Sequence, residues 1–294
     1  MKGQENNMNT ALTYPPQHHI LRDLQISIKF HGKSRATVKA PIVPALFTDQ
    51  GAVQVGVLAT LVDVLCGSMA LKAVYPDWVA SADLSICTAK RATSGMLNLD
   101  GSVLRSGSNT LVIEATISRI GDDPDNSIET IGSGFMTIVR LPRRVDTPKF
   151  YEDSIDSMVF ATQDSGLSRS LLDEVGIETI DSAAGVIELS LCEYIRNSFG
   201  ALHGGVVALL IDRAGQEAAR ASTGMPLVTQ DLNIYYLSQG KVGPFITNAT
   251  VIRDKSDTII TRVEVRDSGA NNRLLAVGLN TAALDSIVQE KEPD

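Results

Sequence analysis

Cysteine, aromatic side chains and excess positive charge are all scarce in this chain, and each shortage closes off a class of protein. Three cysteines, Cys66, Cys87 and Cys192, are spread through 294 residues with no CxxC pair and no His–Cys ligand spacing. That excludes a disulfide scaffold and a structural zinc site, and fits reduced thiols, expected to be buried, in a cytoplasmic protein. Lysine and arginine number 26 against 34 acidic residues, a formal net charge of −8. No chain-wide field is therefore available to hold nucleic acid, and the short basic run from Pro142 to Lys149 does not supply one. No apolar run is expected to reach membrane-spanning length, and the polar start (Gln4, Glu5, Asn6, Asn7) lacks a signal-peptide core. A membrane partner is not expected.

What the chain does contain is a phrase written twice. Gly56-Val57-Leu58-Ala59-Thr60-Leu61-Val62-Asp63 returns as Gly205-Val206-Val207-Ala208-Leu209-Leu210-Ile211-Asp212. The second copy is led by Asn197, five residues, then His203-Gly204; the first has Thr48, Gln54 and Val55 at the matching places. Further echoes hold the register, with Asp83-Leu84-Ser85-Ile86 against Asp231-Leu232-Asn233-Ile234 and Val103-Leu104-Arg105 against Val251-Ile252-Arg253. A repeat of this length is a domain duplication and not a solenoid. It divides the chain into a mobile tail over 1–20, holding His18 and His19, a first domain over 21–146 and a second over 147–294, with a linker at Pro142–Pro148.

Each half predicts the same elements. In the first, an extended segment (Ala36–Ile42) leads to a helix over Val57–Val74 and to strands at Val79–Ala89, Met96–Arg105, Thr110–Ile120 and Glu129–Arg140. In the second, a short helix near Ser168–Val175 and an extended Gly185–Leu191 precede a helix over Val206–Ser222. Strands follow at Leu227–Leu237, Phe245–Arg253, Thr258–Asp267 and Leu274–Ala283. Strict alternation, as in Leu111-Val112-Ile113-Glu114-Ala115-Thr116-Ile117, marks half-buried antiparallel strands, and Gly121–Asn126 reads as a turn. A helix followed by a sheet that must bury one face makes an α+β layer fold. The first helix is apolar nearly all round, so the sheet should wrap it and the other half should cover what remains.

The pattern Asn197, His203, Gly204, Gly205 and Asp212, with the strand Asp231-Leu232-Asn233-Ile234-Tyr235-Tyr236 after it, resembles the PaaI-like hotdog acyl-CoA thioesterases. It covers the second half; the first half resembles the same family in order and in Gly56, Asp63 and Asp83 but lacks the Asn and the His-Gly. The resemblance implies a double hotdog, two long helices each wrapped by antiparallel sheet and paired internally. It also implies thioester hydrolysis with no metal or redox cofactor, coenzyme A being part of the substrate.

Gly204 and Asp212 lie eight residues apart on one helix, about 12 Å along its axis at ~1.5 Å per residue. A backbone N–H that polarises a carbonyl and a carboxylate that activates water must both lie within ~3 Å of the reacting atoms. One helix cannot serve one thioester with both, whereas two antiparallel helices can exchange them. The expected working site therefore joins Asp63 as general base (or, second, as nucleophile) to Gly204 as oxyanion donor. Asn197 would orient substrate or water, His203 would steady the carbonyl or assist the thiol, and Ser81 matches a water-orienting serine in some relatives. A second site, expected to be degenerate, joins Asp212 and Thr229 to Thr48, Gln54 and Val55; these three also read as replacements that shift specificity in an active site. Candidate partners for the phosphates of coenzyme A are Lys90, Arg91, Arg105, Arg253 and Lys255, each of which reads equally as a solvated strand end. The Asp residues also read as satisfied buried polar groups, and Gly204-Gly205 as a tight helix entry.

Two rival functions stay open: a non-catalytic acyl-CoA binding or sensing module, and a double-hotdog enoyl-CoA hydratase, whose Asp-x-Asn-Pro-x-His motif is absent. Uncovered sheet edges and helix faces suggest that two such chains pair, as a dimer of double hotdogs.

Overall fold

Strong alternation becomes strand throughout the chain. The computed structural model describes residues 14–122, 125, 127–144, 147, 156–255 and 258–284; the expected turn at 121–126 and linker at 142–148 lie partly outside these residues. The first half runs α1 (Ile20–Asp23), β1 (Ser27–Phe30), β2 (Arg35–Pro41), α2 (Val55–Val74), β3 (Trp78–Thr88), β4 (Met96–Ser106), β5 (Thr110–Ile120) and β6 (Ile128–Leu141). After β7 (Ser157–Val159) come α3 (Leu171–Val175), β8 (Glu178–Asp181), β9 (Val186–Leu189) and α4 (Gly204–Thr223). The second half ends with β10 (Leu227–Tyr236), β11 (Phe245–Lys255), β12 (Thr258–Asp267) and β13 (Arg273–Leu284).

The described strands form one sheet in the order β7-β1-β2-β4-β5-β6-β3-β10-β13-β12-β11-β9-β8. Its seam is β3 against β10, where Leu84 faces Ile234, Ser85 faces Asn233 and Ile86 faces Leu232. The echoed tetrapeptides thus pair with each other, which places a local twofold at Ser85 and Asn233. The result is the double hotdog, an α+β fold with one long helix under each half of the sheet.

The two long helices run antiparallel and touch through glycine. A Cβ at Gly56 would lie 3.0 Å from Leu209 Cα, and one at Gly205 would lie 2.9 Å from Thr60 Cα. Only a residue without a side chain allows that approach. Thr60 then bridges the helices, its hydroxyl donating to the carbonyls of Gly56 (2.8 Å) and Gly205 (2.9 Å).

The apolar character of α2 follows from its place. Residues 55–66 are buried without a break, against α4 and strands β2 to β6. At 20 residues, α2 is long and apolar enough to cross a membrane, contrary to the expectation that no such run exists, and it is spent inside the sheet as a core helix. By contrast α4 has an outer side, where Arg213 pairs with Glu217 one turn on at 2.7 Å.

Other expectations need correction. Both long helices begin two residues early; α4 does so because the His203 imidazole accepts from Gly205 N–H at 3.0 Å and caps it, whereas α2 starts at Val55 with no side-chain cap. Short α3 begins at Leu171, where Ser170 caps it. The four-residue strands β1 and β8 and three-residue β7 carry too little alternation to be read from sequence. Only Cys66 is buried; Cys87 and Cys192 are exposed, Cys87 because it alternates with inward Ile86 on β3. Residues 14–19 belong to the packed structure and not to a tail: His19 is fully buried, though the side chain of His18 is 69% exposed.

Candidate active site

Asp63 leaves the third turn of α2 and meets the N-terminus of α4. Its Oδ1 accepts a hydrogen bond from Ser81 Oγ at 2.9 Å, and the Gly205 N–H also favours its charge. A Cβ on residue 204 would lie 3.0 Å from both carboxylate oxygens, so glycine keeps that approach open. As the first helical residue, Gly204 has an N–H with no acceptor inside the helix, and the positive end of the helix dipole adds to its pull on an anion. His203 Nδ1 lies 3.7 Å from Asp63 Oδ2. This is not an ion pair: Nδ1 already accepts from Gly205 N–H, and burial pushes the imidazole down to about 4. The neutral ring therefore carries its proton on Nε2. Burial pushes the Asp63 carboxyl up to about 6, with Ser81 and Gly205 N–H opposing. One turn along α2, a Cβ on Gly67 would meet nothing within 4 Å, so no side chain at that position reaches back to the carboxylate.

Asp212 occupies the equivalent place at the N-terminus of α2 and keeps the equivalent glycine N–H and strand hydroxyl, but adds donors that Asp63 lacks. Its Oδ2 accepts from Gly56 N–H at 2.7 Å. Its Oδ1 accepts from Thr229 Oγ1 (2.6 Å), Gln216 Nε2 (3.2 Å) and Asn280 Nδ2 (3.2 Å). Thr229 Oγ1 in turn accepts from Gln216 and Asn280, both at 2.9 Å. Burial raises this carboxyl too, opposed by Thr229, Gly56, Gln216 and Arg220. In the first half, Gly67 stands where Gln216 does. Met136 stands where Asn280 does, since Met136 pairs with Leu84 and Asn280 with Leu232. Val55 takes the place of Gly204, and Gln54 makes no side-chain cap bond to α2; its amide donates to Phe47 O at 3.4 Å.

The remaining expected residues separate into loop supports and surface charges. Asn197 Oδ1 accepts from the N–H groups of Phe199 (2.9 Å) and Ala201 (3.1 Å), so that oxygen shapes the loop leading to His203. Thr48 does the same in the first half, accepting from Gln50 N–H at 3.3 Å. Lys90, which pairs with Glu129 at 2.7 Å, and Arg91, which donates to Gln50 O, line a cleft with Val55, Gln216 and Thr229. That cleft is at the Asp212 end. At the Asp63 end, Ser238 and Gln239 take their places, because Ala92 O and Gly240 O accept from the equivalent Val53 and Leu202 N–H groups. Arg105, Arg253 and Lys255 are exposed on β4 and β11.

Sequence reasoning missed Gln216, Asn280, Tyr14, His19 and the role of Tyr236. Gln216, one turn beyond Asp212, was legible in principle. Tyr236 Oη donates to Gly204 O at 3.2 Å. Asn280 comes to Asp212 through strand register alone, and Tyr14 and His19 sit in a stretch whose composition reads as tail.

The thioesterase superfamily matches residues 199–272. Acyl-coenzyme A thioesterase 13 of Homo sapiens is 31% identical over 112 residues, 37% of this chain and 79% of the human protein. The chain belongs to the thioesterase superfamily. Acyl-coenzyme A thioesterase 13 of Mus musculus is 29% identical over 101 residues, 34% of this chain and 71% of the mouse protein. An acyl-ACP thioesterase from Bacteroides thetaiotaomicron shares the fold at TM-score 0.56 and 11% identity, over 84% of this chain and 97% of that one. A hot dog-fold protein of unknown function from Alicyclobacillus acidocaldarius does so at TM-score 0.58 and 12% identity, over 91% and 98%. Both structural likenesses take in the two halves of this chain. As a thioesterase superfamily member the protein is a thioester hydrolase, and its matched stretch includes His203, Gly204 and Asp212 but leaves Asp63 outside.

Proposed function

We propose that this thioesterase hydrolyses acyl-coenzyme A to a free acid and coenzyme A, at one site composed from both halves. Asp63 takes a proton from water, and the resulting hydroxide attacks the thioester carbon. Gly204 N–H and the α4 dipole hold the developing oxyanion, with the neutral His203 ring beside them. The tetrahedral intermediate collapses to expel the coenzyme A thiolate, the proton held by Asp63 passes to that thiolate or to solvent to restore the base, and no cofactor is needed. A carboxyl near 6 is mostly ionised at neutral pH while remaining basic enough to accept the proton.

The observation that carries this reading is the contrast between the two aspartates. Asp212 is held by four donors, and Val55 stands where the other half has Gly204; Asp63 has two, Ser81 and Gly205 N–H, and faces Gly204. The experiment is thiol release from a panel of aliphatic and aryl acyl-CoAs by the wild type, Asp63→Asn and Asp212→Asn. Asp63→Asn should lose roughly 10²–10⁴-fold in turnover, and folded Asp212→Asn should stay within severalfold. Loss with Asp212→Asn alone would reverse the pairing of the halves. Tight binding of acyl-CoA without cleavage would favour a binding module, for which the basic cleft at the Asp212 end is suited.

A further inference from the structure

Residues 14–19 cross the molecule to the loop that precedes α4. His19 Nε2 donates to Arg196 O at 2.8 Å, and the His18 ring lies 4.7 Å from that of Tyr194. Arg22 fixes the path of the segment, donating to the carbonyl oxygens of Pro15 and Pro16 at 2.6 Å each and of Phe160 at 2.7 Å. Two consecutive prolines further limit the backbone. Tyr14 is thereby held with its ring edge-on to His19 at 5.1 Å, and His19 lies 6.5 Å from the His203 ring, which borders Asp63. The Tyr14 hydroxyl is buried there with no hydrogen-bond partner. Burial first, and the Asp63 carboxylate second, hold the phenol protonated. Aligned on the caps of the two short helices, His19 for α1 and Ser170 for α3, its counterpart is Ser165, whose hydroxyl accepts from Thr162 N–H at 2.8 Å, so the Asp212 end has no such phenol.

A buried donor left unpaired is destabilising and points to an acceptor that arrives from outside. A thioester brings one strong acceptor, its carbonyl oxygen; sulfur is a weak one. We propose that Tyr14 is a substrate-contacting residue of the Asp63 site, its hydroxyl donating a hydrogen bond to the thioester carbonyl oxygen alongside Gly204 N–H. This rests on the reading of Asp63 as the base. A donor fixed in a site shielded from water acts most strongly on the oxyanion as it forms, so its contribution belongs more to kcat than to KM.

The test is Tyr14→Phe, which removes an oxygen that no protein group uses and so should leave the melting temperature unchanged or raised. Expected is a fall in kcat of about 10- to 100-fold with little change in KM. Binding provides a second measurement: a non-hydrolysable S-(2-oxoalkyl)-coenzyme A keeps a carbonyl, whereas an S-alkyl-coenzyme A does not. Tyr14→Phe should weaken the ketone by about tenfold and leave the alkyl analogue alone. Unchanged kcat together with unchanged ketone binding overturns the proposal. If the wild type cleaves no thioester and Asp63→Asn changes nothing, the reading of Asp63 has failed instead, and the paired analogues still decide the role of Tyr14.

Discussion

With Ser81 and Gly205 N–H as its stabilising partners, Asp63 carries its charge at a cost that the unfolded chain does not bear. Its folded value near 6 stands above the ordinary 3.8. Between these values the folded protein holds a proton that the unfolded chain releases, so stability falls as pH rises through that window. Above it the full penalty is present. Asp63→Asn should therefore be more stable than wild type at pH 7, on the order of 1–3 kcal/mol, with the gain vanishing near pH 4. Urea denaturation at the two pH values checks this, and an equal gain at both would show that the carboxyl is not strained by charge. Turnover should rise through an apparent pKa near 6 and then level off, with no second limb from His203, which burial keeps neutral down to about 4. Asp212 behaves oppositely under mutation: Asp212→Asn sets an amide against donors from Gly56, Thr229, Gln216 and Asn280. It should lose on the order of 3 kcal/mol by the same denaturation measurement.

On the scale of elements, the site is made by two helix starts, and that part was legible in the sequence. Helical rise alone separates Gly204 from Asp212, so pairing each glycine end with the other half's aspartate follows once the helices are antiparallel. What surrounds the aspartates was not legible. Met136 and Asn280 reach them through register across β6 and β13, which no local spacing encodes. Tyr14 and His19 were read as tail because the segment is fixed less by apolar burial than by Arg22 bonding its backbone carbonyls, an interaction with no compositional signature. The difference between Gly67 and Gln216 allows a test within one helix. Gly67→Ala faces open space and should stabilise α2 by about 0.5–1 kcal/mol with turnover kept. Gly67→Gln places a carboxamide one turn from Asp63, as Gln216 stands to Asp212. It should donate to the carboxylate, move the pH midpoint of turnover below 6 and lower kcat by about tenfold. A pH–rate profile of both variants decides it, and an unshifted midpoint in Gly67→Gln would deny that the missing donor sets the base.

For the whole molecule, fusing two halves places the complete Asp63 site within one chain and frees the outer face of the seam for another purpose. Phe135 is opposite Ser85 on β6 and β3, and Tyr235 is opposite Asp83 across the seam, so both point away from the helices. They are 40% and 56% exposed, and exposed Cys87 shares that face of β3. Large apolar side chains grouped near a local twofold suit an isologous contact, in which each residue meets the equivalent surface of a second copy. We therefore expect a back-to-back dimer with twice the chain mass of 31.5 kDa. A charge placed there would be buried without a partner in the dimer but solvated in the monomer. The double variant Phe135→Glu, Tyr235→Glu should thus sediment as a monomer while retaining turnover, because neither side chain faces Asp63 or Gly204. Sedimentation equilibrium of wild type and variant measures this directly: a monomeric wild type would remove the dimer, and a dimeric variant would move the contact to another face.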